Sequence, residues 1–180
     1  MANINFNLFP ILTTERLSLR QLSIADQEHI FALRSNKAIN KYLDRKPSET
    51  IEDAIQFIKI INDNLKKNIS VYWAIHSIEA NNLVGTICLF NFSNKNNCCE
   101  IGFELMPKFQ GKGIMKEAAS IVINYAFQTL RVQKIVAFAH HKNQNSIKLL
   151  TKFNFEQAKE LATENPDFIT FSLSNSHINL

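Results

Sequence analysis

Residues 110–116 form a short turn, Gln110-Gly111-Lys112-Gly113-Ile114-Met115-Lys116, that contains two of the four glycines in the 180-residue chain. The residues before the turn alternate like a strand that ends at Pro107, and the residues after it have a helical period. Glycine permits backbone conformations that other residues avoid. A helix that starts directly after a tight turn also presents unpaired N–H groups and the positive end of its dipole. This pattern predicts a phosphate-binding site at residues 110–116.

The elements on either side of this turn indicate an α/β domain. Hydrophobic periodicity and turn residues predict a strand, two helices, three antiparallel strands, a helix, a strand, a short helix and two strands. Their approximate positions are 16–22, 23–34, 50–65, 70–76, 83–92, 98–105, 114–129, 134–140, 143–153, 155–160 and 168–173. This order favours a mixed sheet over a barrel or a doubly wound sheet. We expect one domain over residues 1–180, with a core at about 11–174 and a loose tail at 175–180.

The composition is that of an ordinary globular protein, with 46% hydrophobic and 20% charged residues. The net charge of +4 suits anionic ligands, but the basic residues are scattered, so neither DNA nor RNA is expected as a direct substrate. No segment has the roughly 18 apolar residues of a membrane span, and the first residues lack a secretion signal. Three cysteines are too few for a disulfide framework, so we expect reduced thiols and a cytoplasmic protein.

Two other phosphate-binding motifs do not fit the turn. A Walker loop needs Gly-x-x-x-x-Gly-Lys-Ser/Thr, but no glycine stands five residues before Gly111 and no hydroxyl residue follows Lys112. A dinucleotide fingerprint needs Gly-x-Gly-x-x-Gly, and its third glycine is replaced here by Lys116.

Three segments instead resemble one protein family. The turn, with Glu100-Ile101-Gly102-Phe103-Glu104-Leu105 before it, is similar to the acetyl-CoA motif of the GCN5-related N-acetyltransferases (GNAT). The segment Asn143-x-x-Ser146-x-x-Leu149-Leu150-x-x-Phe153-Asn154-Phe155 resembles the second cofactor segment of that family. Thr14-Glu15-Arg16-Leu17-x-Leu19-Arg20 resembles the opening of its ribosomal-protein-alanine N-acetyltransferase branch. Two positions depart from the pattern: Met115 replaces a small residue and Asn154 replaces the usual glycine.

The resemblance implies a mostly antiparallel sheet with helices on both faces and acetyl-CoA as co-substrate. The strands that end at Leu105 and near His140 would splay apart, and the pantetheine arm would lie between them like an added strand. Backbone groups of Phe103 and Leu105 would bind this arm and polarise the acetyl carbonyl. The Asn143 side chain would hold the pantetheine arm in place. The diphosphate would lie on the turn. The implied cofactor-binding residues are Phe103, Leu105, Gln110, Gly111, Lys112, Gly113, Ile114, Met115, Lys116, Asn143 and Ser146.

Acetyl transfer to an amine needs a neutral nucleophile and a protonated leaving thiolate, and three residues are candidates for these roles. Strand alternation places Glu100 and Glu104 on one face, and we expect Glu104, nearest the splay, to act as the base, directly or through a water. Glu100 is the second candidate, and for both the alternative is a carboxylate paired with Lys or Arg. By resemblance, Ser146 would return a proton to the CoA sulfur; its alternative role is to cap the short helix.

The acceptor is expected to be a protein N-terminal α-amine. An α-amine with a pKa near ~7.8 is partly neutral at pH 7, whereas deprotonating a lysine with a pKa near ~10.4 at that pH costs about 4–5 kcal/mol. Acetylation of an aminoglycoside or polyamine is the first alternative; it should require acidic residues facing the cleft, for which the candidates are Asp44, Glu49, Glu52 and Asp53. A non-catalytic CoA-binding sensor is the second alternative.

The histidine pair and the neighbouring cysteines are interpreted as structural rather than catalytic residues. We expect no metal site, and we interpret His140 and His141 as residues at a strand end. Cys98 and Cys99 could be nucleophiles only beside a histidine. The protein could also form a homodimer.

Overall fold

The computed structural model describes residues 4–159 and 165–175, whose backbone forms eight strands and five α-helices. The strands are β1 to β8, at Leu12–Thr13, Leu17–Gln21, Val71–Ser77, Asn82–Ser93, Cys98–Leu105, Lys134–His140, Glu156–Gln157 and Phe168–Ser174. The helices are α1 to α5, at Gln27–Ser35, Lys37–Asn40, Ile51–Lys66, Ile114–Asn124 and Gln144–Lys152. Each helix and strand expected from the sequence has a counterpart among the described residues, but the strand expected at 155–160 is shortened to Glu156–Gln157.

All the strands belong to one sheet, in the order β1-β2-β3-β4-β5-β6-β8-β7. Each neighbouring pair is antiparallel except β5 and β6, which are parallel. The mixed, mostly antiparallel sheet predicted from the sequence is therefore confirmed.

The β5–β6 pair opens along its length. The two strands pair only at Cys98↔Lys134, Cys99↔Ile135 and Glu100↔Val136, although β5 continues to Leu105 and β6 to His140. The β4–β5 ladder, by contrast, reaches Leu105. A wedge-shaped gap with its wide end toward Leu105 follows, which confirms the splay that the family resemblance implied.

Helices cover both faces of the sheet because the strands place apolar residues on both sides. On one face, α4 packs over a cluster that contains Trp73 and Ile87. On the other face, α1 and α3 pack over a smaller cluster around Ile58 and Ala74. A capping box joins Thr50 and Asp53 at the start of α3.

Several local features differ from the expectations or extend them. Helix α2 was not expected, and the helix predicted at 114–129 changes at Tyr125–Thr129 into a π-helical turn. Phe6 is 3% exposed and packs against Phe92, so the packed region begins before residue 11. The expected last residue of the strand at 155–160, and all but the first residue of the tail at 175–180, lie outside the described residues. No helix among the described residues is long and apolar enough to span a membrane.

Candidate acetyl-CoA site and acceptor cleft

The turn at residues 110–116 has the backbone conformation expected of a phosphate-binding loop. Gly111 and Gly113 have φ values of +75° and +78°, in the left-handed region that favours glycine. Gly113 is the N-cap of α4, and the N–H of Glu117 donates to its carbonyl at 3.0 Å. The amides of residues 114–116 precede this first helical bond and have no carbonyl partner within the helix. They are available to an anion at the positive end of the helix dipole.

Gln110 holds the turn against the end of β5. Its Nε2 donates to the carbonyl of Leu105 at 3.0 Å, and its backbone N–H donates to the carbonyl of Pro107 at 3.1 Å. Both groups bind within the protein, so this structure gives the Gln110 side chain a supporting role in the turn.

The edge of β5 that faces the gap carries unpaired backbone groups at the two predicted residues. The N–H of Met106 donates to Val84 at 3.0 Å, and Glu104 lies opposite Thr86 in the same register. Because hydrogen-bonding groups alternate between the two edges of a strand, Phe103 and Leu105 direct theirs away from β4 and into the gap. Gln110 occupies the Leu105 carbonyl, so within residues 4–159 and 165–175 the Leu105 N–H and both Phe103 groups have no strand partner on the gap side.

The second predicted cofactor segment borders the same gap. Asn143 is the N-cap of α5, and its Oδ1 accepts the N–H of Ser146 at 3.2 Å. The capping role considered for Ser146 therefore belongs to Asn143, and the half-buried Ser146 hydroxyl lies in the cleft lining. Asn154, after α5, has φ +59°, which agrees with its replacement of a glycine.

These elements surround one cleft with a volume of about 590 Å³. Its walls come from β5, the turn, the first residues of α4, the end of β6, α5 and α2. Of the predicted cofactor residues, all but Lys112 line it. Positive charge comes from Lys116 near the turn and from Lys148 and Lys152 on α5, as an anionic ligand requires.

Glu104 is the acidic residue of this cleft, and Arg45 neutralises it. The two guanidinium nitrogens of Arg45 bind the two carboxylate oxygens at 2.7 and 2.5 Å, and the side chains are 19% and 7% exposed. The Tyr72 hydroxyl donates to the same carboxylate at 3.3 Å. Burial, with the nearby Glu104 charge, holds the pKa of Tyr72 well above its ordinary value, so the phenol stays a donor.

A second arginine borders this pair. Arg34 lies over the Phe57 ring, with 3.8 Å from Cζ to the ring centroid, and its buried Nε has no hydrogen-bond partner in the structure as described. Burial and the neighbouring Arg45 lower the pKa of Arg34 below its ordinary value. The Glu104 carboxylate thus lies beside two arginines and accepts the Tyr72 hydroxyl.

Glu100, the second candidate base, lies elsewhere. It is opposite Val136 in the part of β5 that still pairs with β6, and Asn91 Nδ2 donates to its carboxylate at 3.0 Å. It is not among the described residues that line the cleft. The expected shared strand face of Glu100 and Glu104 therefore does not bring both into one site.

The four acidic residues considered for a polycation site also lie outside the cleft lining. Asp53 accepts the N–H groups of Glu49 and Thr50 at the start of α3, and Glu49 pairs with Lys46. Asp44 accepts the side-chain amide of Asn165 at 3.5 Å, and Glu52 is exposed on α3. Among the described residues, the cleft therefore offers Glu104 as its single carboxylate.

The three cysteines are free thiols that are unsuited to nucleophilic catalysis. Burial raises the pKa of Cys99 to about 12, and it also raises the pKa values of Cys88 and Cys98. Because the thiolate is the nucleophilic form, these shifts disfavour the three cysteines as nucleophiles.

His140 ends β6 and stacks on His141, in agreement with the interpretation of a strand-end pair. The pairing of β6 with β8 also places Asp167 beside them, and no sequence pattern predicts this contact. One atom from each of the three residues lies within 4.8 Å of the others, and the groups are mostly exposed.

Three side chains near the acceptor end of the cleft were not predicted from the sequence: Arg45, Tyr72 and Tyr42. Arg45 and Tyr42 lie between α2 and α3, in a segment without a motif, and Tyr72 looked like an ordinary strand residue. Tyr72 reaches Glu104 diagonally across the sheet, because Thr86, opposite Glu104, pairs with Ala74, which lies two residues after Tyr72 on the same face of β3.

Comparisons with known proteins agree with this geometry. Residues 16–156 match the family described as "Acetyltransferase (GNAT) domain". The uncharacterized N-acetyltransferase YoaA of Bacillus subtilis (strain 168) is 34% identical over 150 residues, 83% of this chain and 85% of YoaA. The [ribosomal protein uS5]-alanine N-acetyltransferase of Escherichia coli (strain K12) is 28% identical over 158 residues, 81% of this chain and 78% of that enzyme.

A solved structure shows the same fold. The spermidine N-acetyltransferase from Vibrio cholerae, in complex with CoA and spermine, superposes with a TM-score of 0.76 at 22% identity, covering 91% of this chain and 98% of that one. The chain therefore belongs to the GNAT acetyltransferase family. It is an acetyl-CoA-dependent N-acetyltransferase.

Proposed function

We propose that this enzyme acetylates protein N-terminal α-amines, by direct attack of the amine on acetyl-CoA while both substrates are bound. The observation that carries the proposal is the neutralised state of Glu104, the carboxylate of the cleft, in its two-bond pair with Arg45. We place the reaction in the cytoplasm, which the three free thiols support.

In this proposal the turn and the open edge of β5 hold acetyl-CoA. The amides at the start of α4, with those of the turn, bind the diphosphate. The NH2 group of Asn143 and the free backbone groups of Phe103 bind the pantetheine arm. The Leu105 N–H donates to the acetyl oxygen, and loss of one such preorganised donor typically costs on the order of 10²–10³ in rate.

The reaction forms an N–C bond between the acceptor amine and the acetyl carbon and breaks the C–S bond. The amine gives up one proton to solvent, Ser146 gives its hydroxyl proton to the CoA thiolate, and Ser146 then regains a proton from solvent, so that the net reaction moves one proton from the amine to the leaving thiol. An ionised carboxylate has about four acceptor positions, and Arg45 and Tyr72 use three of those of Glu104. The remaining position can orient the amine, directly or through a water.

Such a partly occupied carboxylate suits an α-amine better than a lysine. The α-amine, with a pKa near ~7.8, is already partly neutral at pH 7, whereas deprotonating a lysine side chain at that pH costs about 4–5 kcal/mol. Proximity of amine and thioester then supplies much of the remaining rate enhancement.

The same geometry disfavours small polycations. A polyamine or aminoglycoside gains affinity from carboxylates that pair with its ammonium groups, and the four acidic candidates near α3 do not line the cleft. The 28% identity with the [ribosomal protein uS5]-alanine N-acetyltransferase supports a protein N-terminus as acceptor. The spermidine enzyme shares the fold at 22% identity, and this likeness carries no acceptor specificity.

The test compares acceptors at saturating acetyl-CoA by measuring thiol release. One panel contains peptides that differ in the first residue, each with an N-terminally blocked control, and the other contains spermidine and aminoglycosides. The proposal predicts at least tenfold higher kcat/KM for free peptide N-termini. Selective turnover of small polycations would contradict the proposed acceptor. CoA binding without thiol release for any amine would contradict acetyltransferase activity altogether.

A further inference from the structure

The Thr14-Glu15-Arg16-Leu17 motif lies against the first turn of α4, far from it in sequence. Thr14 Oγ1 donates to Glu117 Oε1 at 2.5 Å, and Arg16 Nε donates to Glu117 Oε2 at 2.7 Å. The backbone N–H of Arg16 adds a bond to the same carboxylate at 3.3 Å. Arg16 Nη1 also donates, at 3.3 Å, to the carbonyl of Lys112, which lies five residues before Glu117 in the cofactor turn.

This contact network lies directly behind the candidate diphosphate site. Arg16 Nη2 is 2.5 Å from the Glu117 carboxylate and 3.5 Å from the position that a Cβ would take on Gly113. The Glu117 carboxylate is therefore within 6.0 Å of that position on the phosphate turn. A negative charge so close would repel a diphosphate unless a cation neutralised it.

Arg16 reduces this repulsion and also orders the turn. Its guanidinium neutralises Glu117 and, with Thr14, holds the carboxylate on the side of the β1–β2 turn. Its bond to the Lys112 carbonyl also keeps that oxygen, a hydrogen-bond acceptor, away from the anion. Partial burial acts to raise the pKa of Glu117, but the hydrogen bonds from Thr14 and Arg16 hold it below its ordinary value, so the carboxylate stays charged.

We propose that Arg16 is a positioning residue for acetyl-CoA: it neutralises Glu117 and anchors Lys112 so that the turn at residues 110–116 accepts the diphosphate. This inference rests on the proposed placement of the diphosphate at that turn. It also assigns a role to the opening motif, whose Thr14 and Arg16 act on the cofactor turn without touching the cofactor.

The test is a double-mutant cycle read by calorimetric binding of CoA. Arg16→Ala leaves Glu117 unneutralised and is expected to weaken CoA about tenfold. Glu117→Gln removes the repelling charge, so the single variant should bind CoA at least as tightly as the unmodified protein. The double variant should recover to within about threefold, because it lacks the repulsion and retains only the loss of the Lys112 bond.

An acetyl donor without the diphosphate distinguishes a role of Arg16 in diphosphate binding from a general loss of folded protein. S-acetylpantetheine lacks the diphosphate, so Arg16→Ala should change kcat/KM for it less than twofold while lowering kcat/KM for acetyl-CoA about tenfold. Arg16→Lys keeps the charge and should lose less than threefold with acetyl-CoA. These ratios compare two donors on one variant, so they hold even if part of the variant protein fails to fold.

Three results would overturn the inference: unchanged CoA binding by Arg16→Ala, a double variant as weak as that single variant, or equal losses with both donors. A misplaced diphosphate has a different signature. In that case Gly113→Asp would also bind CoA normally, whereas a failure of the Arg16 role alone leaves Gly113→Asp defective.

Discussion

Replacing Arg45 by methionine is expected to release the Glu104 carboxylate and to shift acceptor preference toward polycations. In the structure the carboxylate gives two hydrogen-bond positions to Arg45 and is 7% exposed. Methionine has a similar length but neither charge nor donors. A free carboxylate can then accept a charged hydrogen bond from a second ammonium group, an interaction of about 1.5–3 kcal/mol. This corresponds to roughly 10–100-fold in the ratio of kcat/KM for spermidine to kcat/KM for a peptide.

The same substitution should destabilise the protein. Removing one partner of a buried ion pair typically costs about 3–5 kcal/mol. Because Arg45 is 19% exposed, we expect a value below this range, about 2–3 kcal/mol. For a chain of this size that lowers Tm by roughly 4–12 °C.

The assay measures thiol release with spermidine and with an N-terminal peptide, at a temperature at least 10 °C below the Tm of each variant. Arg45→Lys keeps the charge and should leave the acceptor ratio within threefold. Arg34→Met is the matched control, because it removes a neighbouring cation that is not bonded to Glu104. If the folded Arg45→Met protein keeps the original ratio, neutralisation of Glu104 does not govern acceptor choice.

Three further predictions concern the cofactor turn, the leaving group and stability. Gly113→Asp should weaken acetyl-CoA binding at least 100-fold in calorimetry, and Gly113→Asn, which has the same shape without the charge, should lose much less; equal losses would indicate backbone strain alone. Ser146→Ala should lower kcat at least tenfold with CoA affinity within a few-fold, and unchanged turnover would exclude Ser146 as the acid. Asp26→Asn removes a pair with Arg20 in which Asp26 is 7% exposed, and it should cost about 2 kcal/mol at pH 7, or roughly 4–8 °C in Tm. Burial acts to raise the pKa of Asp26, but hydrogen bonds from Arg20 and Ser23 outweigh it and hold the pKa in the folded protein below 3.8. This stabilisation is present above pH 3.8 and is lost as pH falls through the folded value, so the Tm difference should shrink in acid.

Sequence patterns located the elements that build the cofactor site with high accuracy. The predicted strands at 98–105 and 134–140 have the observed bounds because turn residues and Pro107 end them sharply. The glycines of the turn were informative because their positive φ values are costly for other residues. Helix α2 escaped prediction because four residues are too few to show a hydrophobic period.

The acceptor end was much less predictable, for a physical reason. Glu104 could be identified as a candidate from strand alternation, but its partner Arg45 is 59 residues away and lies in a segment without regular structure. Which cation reaches a given carboxylate depends on how loops pack over the sheet, and no local period encodes this. The same holds for Thr14 and Glu117, which are 103 residues apart and meet only in the folded chain.

The most direct test of this acetyl-CoA placement is a crystal structure of the protein with CoA bound. We expect the diphosphate oxygens within hydrogen-bond distance of the main-chain amides at the glycine turn and the start of α4, with the pantetheine arm along β5 in the gap. Density for the diphosphate at any other place on the protein would contradict it.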